Sequence, residues 1–288
     1  MSALIQQLTG LTLTSPGLKM YRDGLWNNAG SLYVFDSLDS YSLNGLPVGA
    51  ISAGQQLANL IQGGSPATFE LGGTGPGTIT ENAAGSGFTI TPTNASWDVG
   101  RNYDLSTSQH AFLATCWFKP GPQTTNHEEV IQSFNGASFA NIQYCLAWNP
   151  STLALIGNVG ASSVSTAAEI TSGVNQQVGI AWYVSGGIGY IQIFKNGQLV
   201  GTQASGVPTT LPEPDAGTYA EGFGFCGLGS TVSKVGTLLN APATSLTWLR
   251  SYKEDLTISA AASGNTLAVQ AAQQVLADWN ANHARFGI

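Results

Sequence analysis

The chain has 288 residues, 43% hydrophobic and 9% charged, with 36 Gly and 12 Pro; an ordinary soluble domain carries roughly 25% charge, so Ser, Thr, Asn and Gln must supply the hydrophilic surface here. A net charge of −7, with nine Lys plus Arg scattered singly from Lys19 to Arg285, leaves no basic stripe to follow a phosphate backbone and excludes nucleic acid as a partner. No stretch approaches the ~20 apolar residues of a membrane span, and Met1 to Leu8 lacks the basic and apolar regions of a signal peptide, so the chain is expected to be made and kept in solution in the cytoplasm.

Residues 1–65 read as an irregular N-terminal arm. Pro16-Gly17, Asp23-Gly24, Asn44-Gly45 and Gly63-Gly64 punctuate short apolar stretches. Leu32 to Phe35 is the one clear strand. Ser52 to Ile61 predicts a short helix, because Leu57, Leu60 and Ile61 share one face. Too few strands are present to enclose Leu11, Leu13, Leu32, Phe35, Leu57, Leu60 and Ile61, so these residues are assigned to assembly with a neighbouring subunit.

Residues 66–262 change pattern to short strands separated by Gly, Pro, Asn and Ser. The expected strands are Thr78 to Thr80, Phe88 to Thr91, His110 to Lys119, Glu129 to Phe134, Ile142 to Trp148, Leu153 to Asn158, Gln177 to Val184, Gly189 to Lys195, Gln198 to Thr202, Ala220 to Gly227 and Ser245 to Tyr252. Regular strands without long helical stretches predict an all-β, antiparallel β-sandwich or jelly roll. Asn196-Gly197, between two strand patterns, predicts a two-residue type I′ turn, in which both positions need positive φ. Cys116, Cys145 and Cys226 lie in apolar runs without C-x-x-C spacing and read as core thiols. Residues 263–288 close the chain with a helix, since Ala268, Ala272, Val275, Leu276 and Trp279 fall on one face, with Ser263 or Asn265 as a cap and Gly287 after the end.

Several of these strands resemble a known family. Ala111 to Pro120, with Trp117 and the Lys119-Pro120 end, Gln177 to Tyr183, and Ile191 to Val200 with the Asn196-Gly197 turn are similar in order and spacing to strands of concanavalin A-like and laminin-G-like domains. Phe223 to Gly227 and Leu246 to Leu256 stand where the later strands of that family do. The resemblance spans about residues 85–260 and implies the jelly-roll sandwich; activity does not follow from it, because the family includes lectins, glycanases and structural modules. Met20 to Trp26 and Gly30 to Asp36 resemble the leader of a set of tailed-bacteriophage structural proteins that carry this sandwich. That resemblance implies a virion protein (capsid decoration, tail or fibre component), located in the virion and bound to other virion proteins. It also implies a homo-oligomer, a trimer being favoured. The alternatives are a carbohydrate-binding lectin module, with a host-surface glycan as partner, and a glycoside hydrolase.

Catalysis is not expected. No Glu-x-Asp-x-Glu pattern places two carboxylates on one face of a strand, Glu128-Glu129 read as rim charges, and the G-x-S-x-G elbow is missing. His110, His127 and His283 do not supply a zinc ligand pair. No cofactor is implied except calcium, which many sandwiches of this family hold with loop carboxylates. The candidates are Asp98 and Asp104, or Glu213 and Asp215, neither set having a diagnostic spacing. Glycan binding would use exposed aromatic platforms, for which Trp97, Tyr103, Trp148 and Tyr219 are the candidates; Trp117, Trp182 and Trp248 read as core.

Overall fold

A computed structural model describes residues 25, 28–46, 48–71, 78–82, 86–91, 95–121, 128–135, 142–149, 151–213, 219–224, 228–230, 233–237 and 245–288. The elements run β1 (Ser31–Asp36), α1 (Ser40–Leu43), β2 (Gly49–Ile51), β3 (Gln56–Leu57), β4 (Ala67–Leu71), β5 (Ile79–Glu81), β6 (Phe88–Ile90), β7 (Ala95–Asp98), β8 (Phe112–Pro120), β9 (Glu128–Asn135) and β10 (Ile142–Asn149). They continue with β11 (Ala154–Val159), β12 (Ser162–Ala168), β13 (Gln176–Ser185), β14 (Ile188–Lys195), β15 (Gln198–Gln203), β16 (Tyr219–Gly224), β17 (Leu228–Ser230), β18 (Ser233–Thr237), β19 (Leu246–Asp255), α2 (Leu256–Ser263) and α3 (Leu267–Asn282). Among the described residues, two antiparallel sheets form a sandwich. One follows the order β15-β14-β13-β8-β19-β6-β5-β2, with β1 also on β19; the other follows β12-β11-β10-β9-β16-β7-β4-β3.

The strands at the centre of the first sheet are buried on both faces, which explains their unbroken apolar runs. Phe112, Ala114, Cys116 and Phe118 of β8 point between the sheets, where they meet Tyr144, Leu146, Val178, Ile180 and Trp182. Leu113 and Trp117 point the other way, beneath the helices: Leu113 packs with Ala271 and Val275, and Trp117 stacks on Trp279 with centroids 5.3 Å apart and planes 5° apart. The expected Asn196-Gly197 turn is present, with φ of 48° and 80°. Gln177 holds it: its backbone N–H donates to Asn196 Oδ1 at 3.0 Å and its Oε1 accepts from Gly197 N at 2.9 Å. The same side chain donates through Nε2 to Asp278 Oδ2 at 2.7 Å, so one glutamine ties the hairpin to α3.

A bulge in β19 decides where the buried charges go. The register with β8 shifts between Trp248 and Arg250. Trp248 faces the inter-sheet core, stacked on Phe223 at 4.9 Å. Strict alternation would put Arg250 beside it and turn Lys253 outward; the extra residue reverses both. Arg250 lies under the helices, with Nη1 2.7 Å from Asp36 Oδ2 and Nε 3.1 Å from Asp278 Oδ1. Lys253 enters the inter-sheet space, with Nζ 2.7 Å from Glu221 Oε2 of β16.

The first 65 residues behave differently from the sequence expectation. β1 pairs antiparallel with β19, from Ser31 opposite Glu254 to Asp36 opposite Arg250. Phe35 and Leu57 are fully buried in the inter-sheet core, Leu60 is buried with Val34 and Leu113, and Leu32 and Ile61 pack against these clusters. Their apolar surface is covered by this chain, so the assembly role assigned to them is corrected to a role in the core; Leu11 and Leu13 lie outside the described residues. Ser52 to Ile61 forms no helix: it holds β3 and turns, one at Gly54 with φ 84°. Asn59 supplies what a helix would not, accepting from Val34 N at 3.0 Å and donating to Leu32 O at 3.1 Å, so its amide stands in for a neighbouring strand along β1.

The expected strands are all present, with ends moved by at most three residues and Phe225 to Gly227 outside the described residues. Leu153, expected to open its strand, instead sits at φ 61° in the preceding turn. β2, β3, β4, β7, β12, β17 and β18 were not anticipated. At the C-terminus two helices replace the expected one. Asp255 caps α2 through Ile258 N, and Thr266, rather than Ser263 or Asn265, caps α3 through Val269 N. Val275 is buried as expected, but Leu276 is 45% exposed, because the helix rests on Ala271 and Val275.

Candidate functional site

Where the helices leave the outer face of the first sheet uncovered, side chains line up across three strands. Thr247 of β19 pairs with Thr89 of β6 on one side and with Lys119 of β8 on the other. Their neighbours Phe88, Ile90, Phe118, Leu246 and Trp248 point into the core, so by the two-residue period of a strand Thr89, Thr247 and Lys119 share the outer face. The loop that enters β13 supplies a wall: Ser172 Oγ donates to Gly121 O at 2.6 Å, and Gly173 N donates to Pro120 O at 2.9 Å. The result is an open groove of about 410 Å³, lined by Thr89, Lys119, Pro120, Gly121, Ser172, Gly173, Ser245 and Thr247.

Among the described residues its lining is hydroxyl-rich, with one cation and no aromatic ring. Thr89 is oriented by donating from Oγ1 to Asn82 Oδ1 at 2.9 Å. The Lys119 side chain is exposed and makes no ion pair among the described residues. Other described cations are engaged: Arg250, Lys253 and Arg285 each meet a carboxylate within 3.1 Å, and Lys195 meets Glu169 at 4.0 Å. An exposed ammonium beside a row of hydroxyls can bind an anionic, polyhydroxylated ligand through charge-assisted and neutral hydrogen bonds.

The residues chosen from sequence do not form this groove. Trp97 and Trp148 are fully buried, with neither indole N–H partnered among the described residues, and Tyr103 is 8% exposed with its hydroxyl bonded to Asn59 and to Ser65 O. They are core residues, which corrects their assignment as exposed glycan platforms. The reason is that β7 and β10, strands of the second sheet, turn Trp97 and Trp148 toward the first: Trp97 meets Phe88 and Trp248 of the first sheet, and Phe69 beside it, at 5.3 to 6.5 Å. Tyr219 begins β16, opposite Asn135. Trp117, Trp182 and Trp248 are core, as expected.

The acidic candidates serve the backbone. Asp98 is buried and accepts from Gly100 N at 2.7 Å. Asp104 accepts from Ser106 N and Oγ at 2.9 Å and from Gln143 Nε2 at 2.8 Å. Both are turn-forming carboxylates. Glu213 is exposed and Asp215 lies outside the described residues, as do His127 and Cys226. Among the described residues no three His, Cys, Asp or Glu side chains converge on a metal position. His110 Nδ1 lies 2.7 Å from Asp255 Oδ2, the carboxylate that also caps α2. Nothing in the sequence marked Thr89, Lys119 and Thr247, which are far apart in the chain; only strand order makes them neighbours.

No protein-family model matches the chain, and no curated protein matches it in sequence. Among solved structures, Trypanosoma rangeli sialidase matches at TM-score 0.52 and 9% identity, over 90% of this chain and 34% of that one. The same enzyme in complex with 2-keto-3-deoxy-D-glycero-D-galacto-2,3-difluoro-nononic acid matches at TM-score 0.53, again at 9% identity over 90% and 34%. Ruminococcus gnavus IT-sialidase CBM40 matches at TM-score 0.42 and 11% identity, over 61% of this chain and 96% of that one. The chain thus spans about a third of the length of the sialidases it matches. No helix among the described residues is long and apolar enough to cross a membrane. The two sialidase matches overturn the expectation of a virion structural protein, whether capsid decoration, tail or fibre component. What the chain shares with them is the two-sheet antiparallel sandwich of the jelly-roll kind that the sequence predicted.

Proposed function

We propose that this chain is a carbohydrate-binding module that holds an acidic glycan in the groove over Thr89, Thr247 and Lys119. One observation carries the reading: the exposed ammonium of Lys119, which makes no ion pair among the described residues, ends a cross-strand row of hydroxyls in an open groove of about 410 Å³. Sugar hydroxyls are matched by Thr and Ser, and a sugar carboxylate by the lysine. A sandwich of this kind occurs in a sialidase solved with a nononic acid bound, which supports a glycan as the ligand class. Binding without hydrolysis is expected, so incubation with polysaccharide should release no reducing ends.

A glycan array followed by calorimetry tests the reading. Carboxylated oligosaccharides are expected to bind in preference to their neutral counterparts. Lys119→Ala should weaken them about threefold, or about 0.7 kcal/mol, the share of one solvent-exposed ion pair. Equal affinity of the variant for acidic glycans, or an array without a binder, overturns the assignment.

A further inference from the structure

Lys253 and Glu221 meet between the sheets in an arrangement that goes beyond an ion pair and is independent of glycan binding. Their side chains are 1% and 0% exposed, and Nζ lies 2.7 Å from Oε2. The Tyr144 hydroxyl donates to the other carboxyl oxygen, Oε1, at 2.8 Å. Nζ also donates to Tyr103 O at 2.8 Å and sits 5.1 Å from the Tyr144 ring centroid and 5.9 Å from that of Phe112. Keeping an ammonium and a carboxylate out of water is costly. Transfer of one proton within the contact turns the pair into an amine and a carboxylic acid. Those are the two reactants of an amide, held in contact and shielded from water, where intramolecular reaction gains a large effective concentration.

We propose that Lys253 and Glu221 condense spontaneously to an isopeptide bond that joins β19 of one sheet to β16 of the other. Lys253 gives one proton to Oε2, and its nitrogen lone pair then attacks Cδ. The charge that develops on Oε1 is stabilised by the Tyr144 hydroxyl already directed at it. A second proton passes from nitrogen to Oε2, the Cδ–Oε2 bond breaks, and water leaves. The C–N bond remains, and its last N–H keeps the hydrogen bond to Tyr103 O. No oxidant, reductant or cofactor is required. The two residues are 32 positions apart, so the bond closes a long loop of chain.

The mass of the purified full chain, measured after denaturation, decides the matter, because denaturation separates an ion pair and leaves an amide. The expected result is a mass lower than the sequence by one water, about 18 Da. In a tryptic map the Glu221 peptide should be joined to the Lys253 peptide, without cleavage after Lys253. A full sequence mass, two free peptides, or a water loss that maps elsewhere overturns the proposal. Lys253→Met should return the mass to that of its sequence. Tyr144→Phe should leave an uncondensed fraction; complete condensation in that variant removes Tyr144 from the mechanism.

Discussion

Arg250 shows how much a single buried charge can organise. It is fully buried between Asp36 of β1 and Asp278 of α3, while Arg285 reaches Asp36 from the surface at 3.0 Å. Asp278 in turn accepts from Trp117 Nε1 at 2.6 Å and from Asn282 Nδ2 at 3.0 Å. Arg250→Met keeps much of the side-chain volume but strands two carboxylates, and a loss of about 3–5 kcal/mol in chemical denaturation is expected; an unchanged midpoint would show that the carboxylates find other partners. Cys116 gives a pH dependence. Burial pushes its thiol up to about 12 from an ordinary 9.0. The unfolded chain therefore releases this proton more readily than the folded one, so the contribution is complete below pH 9 and is lost as pH rises toward 12. Tyr252 acts in the same direction, its phenol raised first by burial and then by the charge of Glu254. Denaturation midpoints should be flat below pH 9 and fall above it, and a thiol reagent at neutral pH should label Cys116 and Cys145 only after unfolding. The apolar runs around these cysteines made their burial legible. The partners of Arg250 were not, because they lie 214 and 28 positions away.

At the scale of elements, the hairpin between β14 and β15 is the part that local chemistry specifies most fully. Gly197→Val would place a β-branched residue at φ 80°, and its Cβ would come within 3.0 Å of the Trp279 ring. A destabilisation of about 1–3 kcal/mol is expected from the backbone alone. The Trp279 contact adds a second readout: the near-ultraviolet dichroism of the stacked Trp117–Trp279 pair should change. Equal midpoint and spectrum would remove the turn from the account. The segment from 52 to 61 shows the opposite case. Leu57, Leu60 and Ile61 have helical spacing, yet Leu57 fills the inter-sheet core while Leu60 joins the cluster under the helices. Apolar spacing records that residues are buried; in a segment this short it does not say against which surface.

For the whole molecule, the N-terminal strand matters most. β1 carries Asp36 to Arg250 and lays Val34 and Phe35 into both hydrophobic clusters. Deleting residues 1–60 is therefore expected to prevent folding as a stable monomer, with loss of the cooperative thermal transition; a folded truncation product would show that β1 is dispensable. The low charge content also has an internal explanation. Arg250 and Lys253, with Asp36, Glu221, Glu254, Asp255 and Asp278, are all buried, so part of an already small set of charges serves the interior.

What the sequence determined by itself was the fold class and most strand positions, because strand period, Gly and Asn turns and apolar runs are local properties set by backbone sterics and side-chain burial. It also identified Trp117, Trp182 and Trp248 as core. It misread Trp97 and Trp148 as exposed, because an indole with a polar neighbour at the end of a strand reads the same whether it faces solvent or the opposite sheet. Tertiary structure alone decided three things. One residue inserted in β19 sent Arg250 toward the helices and Lys253 between the sheets. Strand order brought Thr89, Lys119 and Thr247 together across three strands. Pairing of β1 with β19 made the leading segment part of the core. Each depends on which strands lie side by side, and that choice is made by long-range packing and hydrogen bonding, to which no window of sequence has access.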